Sequence, residues 1–215
     1  MKRYMPLVLV AMLALVSAQA SANLLINGSF EQNNFNGWTI GTTSNGTWGE
    51  GFPIVAPWPL GGGLNAAKGE VGEVNFDGTQ QGGTLSQAFM SGAGAGTVSM
   101  MYAAMGDGIH TNSDGGEFTL MLDNTILAQF DVGTITANQI ISGTLSANVN
   151  LSAGPHTLEI DVTRRFASQP QNTPYQYVTG VDVEGPSSVP EPGSLVLMGS
   201  GVLGLAGMLR RKLGF

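Results

Sequence analysis

The sequence predicts an all-β protein whose body is an antiparallel β-sandwich. Three observations carry this. From residue 71 onward, apolar and polar residues alternate with a period of two. Turn signals rich in glycine, asparagine, aspartate and proline recur about every eight to twelve residues. Between residues 23 and 189 no stretch keeps a helical period over three turns. Short strands broken this regularly are the signature of two packed antiparallel sheets.

The elements follow in order. Residues 23–38 start with Leu24, Leu25 and Ile26, turn at Asn27-Gly28 and close at Gly37-Trp38. Residues 41–70 read mostly as loop, with Trp48, Phe52 and Trp58 set among glycine, proline, serine, threonine and asparagine. Val74, Asn75 and Phe76 read as the end of a strand before the turn Asp77-Gly78. Leu85, Gln87 and Phe89 then alternate with Ser86, Ala88 and Met90, and Val98, Met100 and Tyr102 with Thr97, Ser99 and Met101. Residues 117–132 read as a hairpin turning at Asp123-Asn124. Ile141, Leu145, Val149 and Leu151 oppose Ser142, Thr144, Ser146 and Asn150. After Gly154-Pro155, His156, Leu158, Ile160 and Val162 oppose Thr157, Glu159, Asp161 and Thr163. Tyr177, Val181 and Val183 close the body.

The opening Asn23-Leu-Leu-Ile-Asn-Gly-Ser-Phe-Glu31, followed by Gly37-Trp38, resembles carbohydrate-binding modules of the galactose-binding-like jelly-roll type. Phe118-Thr-Leu-Met-Leu-Asp123, then Gly154-Pro-His-Thr-Leu-Glu-Ile160, then Val181-Asp-Val183 follow the order of that family. The resemblance implies a jelly-roll fold with Trp38 packed in its core. One departure is that Thr179 and Gly180 stand where the family usually has an Asp-Asn or Asp-Asp pair. A calcium ligand expected there is missing, with Asp182 close by.

Both ends read as addresses. Residues 1–22 form an expected signal peptide: Lys2 and Arg3, an apolar run over 7–16, and small-residue cleavage sites ending at Ala20 and Ala22. An uncleaved anchor is the alternative. The organisation expected is a signal over 1–22, a β-sandwich over 23–185, a linker over 186–193 and a hydrophobic segment over 194–215. Residues 194–209 are uncharged and mostly apolar, about 24 Å long as a helix at roughly 1.5 Å per residue. A bilayer core is about 30 Å thick, so the segment is slightly short as a span. Arg210, Arg211 and Lys212 follow it; they can snorkel, and they should remain cytoplasmic. The stretch Val189-Pro190-Glu191-Pro192-Gly193-Ser194, the apolar run and the basic end resemble the PEP-CTERM sorting signal of exported bacterial proteins. That resemblance implies transient anchoring in the inner membrane and processing near Pro-Glu-Pro by an exosortase. It also implies a role at the cell surface or in the extracellular matrix, in exopolysaccharide and biofilm production.

Residues 23–189 hold 14 acidic residues and three basic ones (Lys68, Arg164, Arg165), so their net charge is −11. Such a body repels phosphate backbones, which excludes nucleic acid as an expected partner. No cysteine is present, so the core alone must hold this exported fold. No His-Glu-x-x-His or Gly-x-Ser-x-Gly motif occurs, and His110 and His156 are isolated. The Gly-x-Gly-x-x-Gly at 199–204 lies in the apolar tail with no strand before it, so it is no nucleotide site. The expectation is a non-enzymatic protein. Glu70 with Glu73 and Glu159 with Asp161 are the nearest carboxylate pairs for a glycosidase, but neither has a cleft context in the sequence.

Two binding sites are candidates. Trp48, Phe52 and Trp58 suit stacking on a pyranose if they are exposed, or can fold back as caps of the sandwich. Asp107, Asn112, Asp114 and Glu117 share a glycine-rich loop whose oxygens suit calcium, or form a solvated turn. No other cofactor is expected. Arg164-Arg165 is the one basic point of the body, expected to pair with Glu159 or Asp161, with contact to an acidic polysaccharide as the alternative.

Overall fold

The computed structural model describes residues 22–170, 172–186 and 201. The expected signal peptide and sorting segment fall outside them except at Ala22, Pro186 and Gly201, so Val189 to Ser194 and Arg210 to Lys212 have no structural account here. The described strands are β1 (Ala22–Asn23), β2 (Thr39–Thr42), β3 (Gly46–Thr47), β4 (Ile54–Pro57), β5 (Asn65–Gly69), β6 (Gly72–Glu73) and β7 (Gln81–Ser91), followed by β8 (Gly94–Met105), β9 (Glu117–Leu122), β10 (Thr125–Asp131), β11 (Ile140–Leu151), β12 (Gly154–Arg164) and β13 (Tyr175–Gly185). All lie in one compact unit, Ser21–Ser188. Among the described residues no helix is long and apolar enough to cross a membrane.

The strands form two antiparallel sheets, one in the order β11-β8-β13-β5-β4 with β1 added to β13, the other β10-β9-β12-β7-β2. From β7 to β13 every connection except the β9–β10 hairpin changes sheet, the crossing pattern of a jelly roll. The expected all-β sandwich is the observed one. Its core is built by the residues whose alternation marks them. Leu85 and Phe89 on β7, Val98 and Met100 on β8, Phe118 and Leu120 on β9, Leu158, Ile160 and Val162 on β12, and Val181 and Val183 on β13 are buried together. Burial at about 25 cal/mol per Å² of apolar surface makes this seam the main stabilising term of a chain without disulfides.

The expected hairpin is present. Leu122 pairs with Thr125, and Asp123 and Asn124 between them have φ of 49° and 62°. Positive φ at both central residues is the type I′ geometry whose twist suits paired strands. The Asp123 carboxylate also accepts from the Thr157 backbone N–H at 2.8 Å and holds His156 Nδ1 at 2.6 Å. His156 is therefore a buried strand histidine tied to the turn. Its pKa is raised, chiefly by the bond to the Ser152 carbonyl and then by Asp123.

Two regions differ from expectation. Residues 41–70 hold most of four short strands rather than one loop; glycine and proline hide them, and the adjacent Ala66 and Ala67 are both buried, which breaks the alternation. Val74 and Phe76 lie in an exposed loop, where Asp77 turns the chain by accepting from Thr79. Thr179 and Gly180 mark a register shift in β13, where Gly180 has φ of 56°. This positive φ favours glycine over any residue with a Cβ.

The sandwich has two ends. Gln81 pairs with Arg164, and Met105 with Tyr175, at one of them. Ser91 pairs with Gly154, and Ala22 with Gly185, at the other. The loops 74–80, 106–116 and 165–174 therefore converge at the first end.

Candidate functional site

The loop tryptophans singled out from the sequence are not at a free surface. Trp48 is only 4% exposed. It lies between two strand glycines, one from each sheet: an added Cβ at either Gly83 or Gly69 would collide with the Trp48 ring. Its Nε1 donates to the Gly41 carbonyl at 2.9 Å. Trp58, 5% exposed, packs edge-on to Tyr177 in a small satellite core. Phe52 is half-buried against Tyr175, and the Lys68 ammonium sits 3.6 Å from the Tyr175 ring centroid and 5.6 Å from that of Phe52. The glycan-binding assignment is therefore corrected for Trp48 and Trp58, whose rings are buried, while Phe52 stays partly exposed. The two tryptophans cap the sandwich, and Phe52 belongs to a cation–π cluster around Lys68. Trp38 is in the core, as the resemblance implied, donating to the Asn27 carbonyl and stacked on Phe30.

The calcium candidates do not assemble either. The Asp107 carboxylate accepts from the backbone of Ile109 and His110 and from the His110 ring. Burial would raise its pKa, but these bonds together lower it. The Asp114 carboxylate accepts from the backbone of Gly116 at 2.9 Å and of Arg165 at 2.8 Å. Glu117 begins β9, beside Thr163. Among the described residues no three His, Asp or Glu side chains come together in a way that would hold a metal. Asp107 folds its loop by accepting that loop's own N–H groups, and Asp114 ties it to the start of the next loop through Arg165.

The carboxylate pairs have separate settings. Glu70 and Glu73 are buried at the β5–β6 edge. Glu159 and Asp161 share the outer face of the second sheet; burial pushes Asp161 up to about 7, and Glu159 adds to the shift. None of these four lines the cleft at the loop end of the sandwich.

That cleft lies where the three loops converge. It has a volume of about 650 Å³, within the usual range of ligand sites, and is lined by Phe76, His110, Asn112, Arg164, Phe166, Ala167, Gln169 and Asn172. Phe76 is 67% exposed and Phe166 38% exposed, and their rings stack at 6.0 Å with 21° between planes. A second hollow of about 390 Å³ lies against the same two rings, with Gly78, Asp131 and Arg165 among its lining. Two bridges fix the walls: Glu73 pairs with Ala167, and Asn112 with Ile135.

Arg164 forms the cleft's charged part. It is the last residue of β12 and is 97% buried, with 3% exposure. Its Nε donates to the Asp114 carbonyl at 2.9 Å, and its guanidinium lies 5.5 Å from the Phe166 ring. Burial lowers its pKa while Asp114 raises it. Among the described residues the only ion pairs within contact distance are His110–Asp107 and His156–Asp123, so the expected pairing of Arg164 with Glu159 or Asp161 does not form. The strand pleat accounts for this: Glu159 and Asp161 share one face of β12, and Arg164 follows in the opposite phase. Arg164 Nη1 and Asn112 Nδ2 are buried donors with no partner.

The sequence named Arg164 as a basic point and Asn112 as a calcium candidate, but not the cleft. Phe76 and Phe166 were missed. The available signal was an aromatic beside Asp77-Gly78 and another directly after the two arginines.

The site thus defines a β-sandwich with an acidic body and an aromatic, amide-lined cleft at one end. Residues 188–212 match the PEP-CTERM protein-sorting motif, which marks the chain for export and for sorting at the membrane. No curated protein matches the chain. Solved structures similar to it include the K3 cleaved adhesin domain of Lys-gingipain from Porphyromonas gingivalis, at 13% identity and a TM-score of 0.48, over 77% of this chain and 99% of that one. A second is TmCBM61 in complex with β-1,4-galactotriose, at 14% identity and a TM-score of 0.45, over 76% and 98%. A third is the CBM22-1 xylan-binding domain of Xyn10C from Paenibacillus barcinonensis, at 12% identity and a TM-score of 0.44, over 80% and 100%.

Proposed function

We propose that the exported product is a non-enzymatic glycan-binding protein of the cell surface or extracellular matrix, and that the Phe76–Phe166 cleft is its binding site. The observation that carries this reading is the exposed, stacked ring pair beside a cleft of about 650 Å³. Two exposed rings set together form a contiguous apolar patch of the kind that marks binding surfaces, and the apolar face of a pyranose fits one. The amides of Asn112, Gln169 and Asn172 supply donors and acceptors for sugar hydroxyls. Exosortase processing of residues 188–212 would release this body, and exopolysaccharide of a biofilm is the ligand such a destination would offer.

A pull-down with a polysaccharide panel tests it. Phe76→Ala removes an exposed ring, so folding should be unaffected, while retention falls about three- to tenfold. Equal retention of wild type and variant would move the glycan site away from this cleft, and no retention of either would leave a matrix protein without a glycan site.

A further inference from the structure

We infer that the cleft takes a saccharide carrying a carboxylate, a uronic-acid-type residue, and that Arg164 is its receptor. This rests on the glycan reading above and narrows it to one ligand class. The starting point is the buried Arg164 guanidinium. Its Nε is satisfied by the Asp114 carbonyl, and Nη1 is buried without a partner. The carboxylate that acts on the guanidinium, Asp114, makes no contact-distance ion pair with it and accepts instead from the backbone N–H groups of Gly116 and Arg165. The guanidinium charge is therefore left with a donor unspent, on a side chain that lines the cleft.

A buried charge with an unmade hydrogen bond is costly, and an anionic oxygen arriving at that donor removes the cost. Arginine binds carboxylates through short, charge-assisted bonds. Asn112 Nδ2, the second unpartnered buried donor, lies in the same lining. No aspartate or glutamate lines this cleft, although the body around it carries a net charge of −11 from 14 acidic and three basic residues. An acidic polymer is repelled by the rest of the surface and admitted here. A neutral sugar satisfies the ring pair but brings no anionic oxygen to the unpartnered Nη1.

The test uses the full chain in mild detergent and two polymers of the same backbone, polygalacturonate and its carboxyl-reduced, neutral form. Binding to the acidic polymer about tenfold tighter, weakening with salt, is the expected result. Arg164→Met should remove that preference while leaving binding to the neutral polymer. Arg164→Lys should retain part of it, and near-UV circular dichroism checks that each variant is folded. The comparison of two polymers on wild type needs no variant, so misfolding of either leaves the proposal testable. Equal binding of both polymers, lost in Phe76→Ala, overturns the carboxylate and keeps the glycan site. No binding of either polymer, nor of a panel of neutral glycans, overturns both.

Discussion

Trp48 and Phe76 show how single residues divide the work. The sequence reads Trp48 as a loop aromatic and Phe76 as the end of a strand, yet Trp48 is buried and Phe76 is 67% exposed. What separates them is the space opposite. Gly69 and Gly83 open a slot for the Trp48 indole, and neither glycine is near it in sequence. That pairing belongs to the tertiary fold, so no local pattern reveals it. Asp161 makes the same point about charge. Its alternation with Ile160 and Val162 marks it as outward-facing, but neighbouring strands cover it, and burial pushes its carboxyl up to about 7. In the unfolded chain an aspartate titrates near about 3.9. Between those values the folded state keeps a proton that the unfolded state has lost, so stability falls as pH rises through this window. Asp161→Asn should therefore raise Tm at pH 8 and leave it nearly unchanged at pH 4, with a gain of roughly 1–2 kcal/mol after discounting for partial exposure. Equal Tm for both proteins at pH 8, followed by circular dichroism, would show that Asp161 is solvated.

At the scale of elements, the long strands were legible and the short ones were not. The β9–β10 hairpin could be read because both its alternation and its Asp123-Asn124 turn are local. The strands β2 to β6 could not, because two to five residues hold too few periods for alternation to show. The glycine-rich loop holding Asp107 to Glu117 was visible as a loop and residues 165–174 were not, and the meeting of the two depends on how β8, β12 and β13 pair. The cleft was therefore beyond the sequence, although Arg164 and Asn112 were each noticed. The hairpin gives a prediction at its own scale. Asn124 has φ of 62°, a conformation that a β-branched residue adopts only with strain. Asn124→Val should cost about 1–2 kcal/mol, a fall of a few degrees in Tm, whereas Asn124→Gly should cost almost nothing. Thermal melts of the two variants distinguish this turn from a tolerant loop.

For the whole molecule, the charge balance and the addresses belong together. The acidic residues lie on the body, and five of the eight cations lie in the two ends outside residues 23–189. An exported chain with no cysteine depends on its sandwich core for stability, so reductant should leave its melting unchanged. The sorting motif predicts where the released product ends. Mass spectrometry of the extracellular protein should find a C-terminus near residues 189–194, and an intact Phe215 on surface protein would mean a permanent anchor instead.

The two ends of the sandwich also set a reach. The chain leaves β13 at Gly185, next to Ala22, whereas the cleft is formed by the loop that enters β13 at Tyr175. Eleven residues of strand separate these points, about 35 Å at roughly 3.3 Å per residue. The last strand of the sandwich therefore ends at the pole opposite the cleft, and Phe166 and the loop that carries it lie about a strand's length from Gly185.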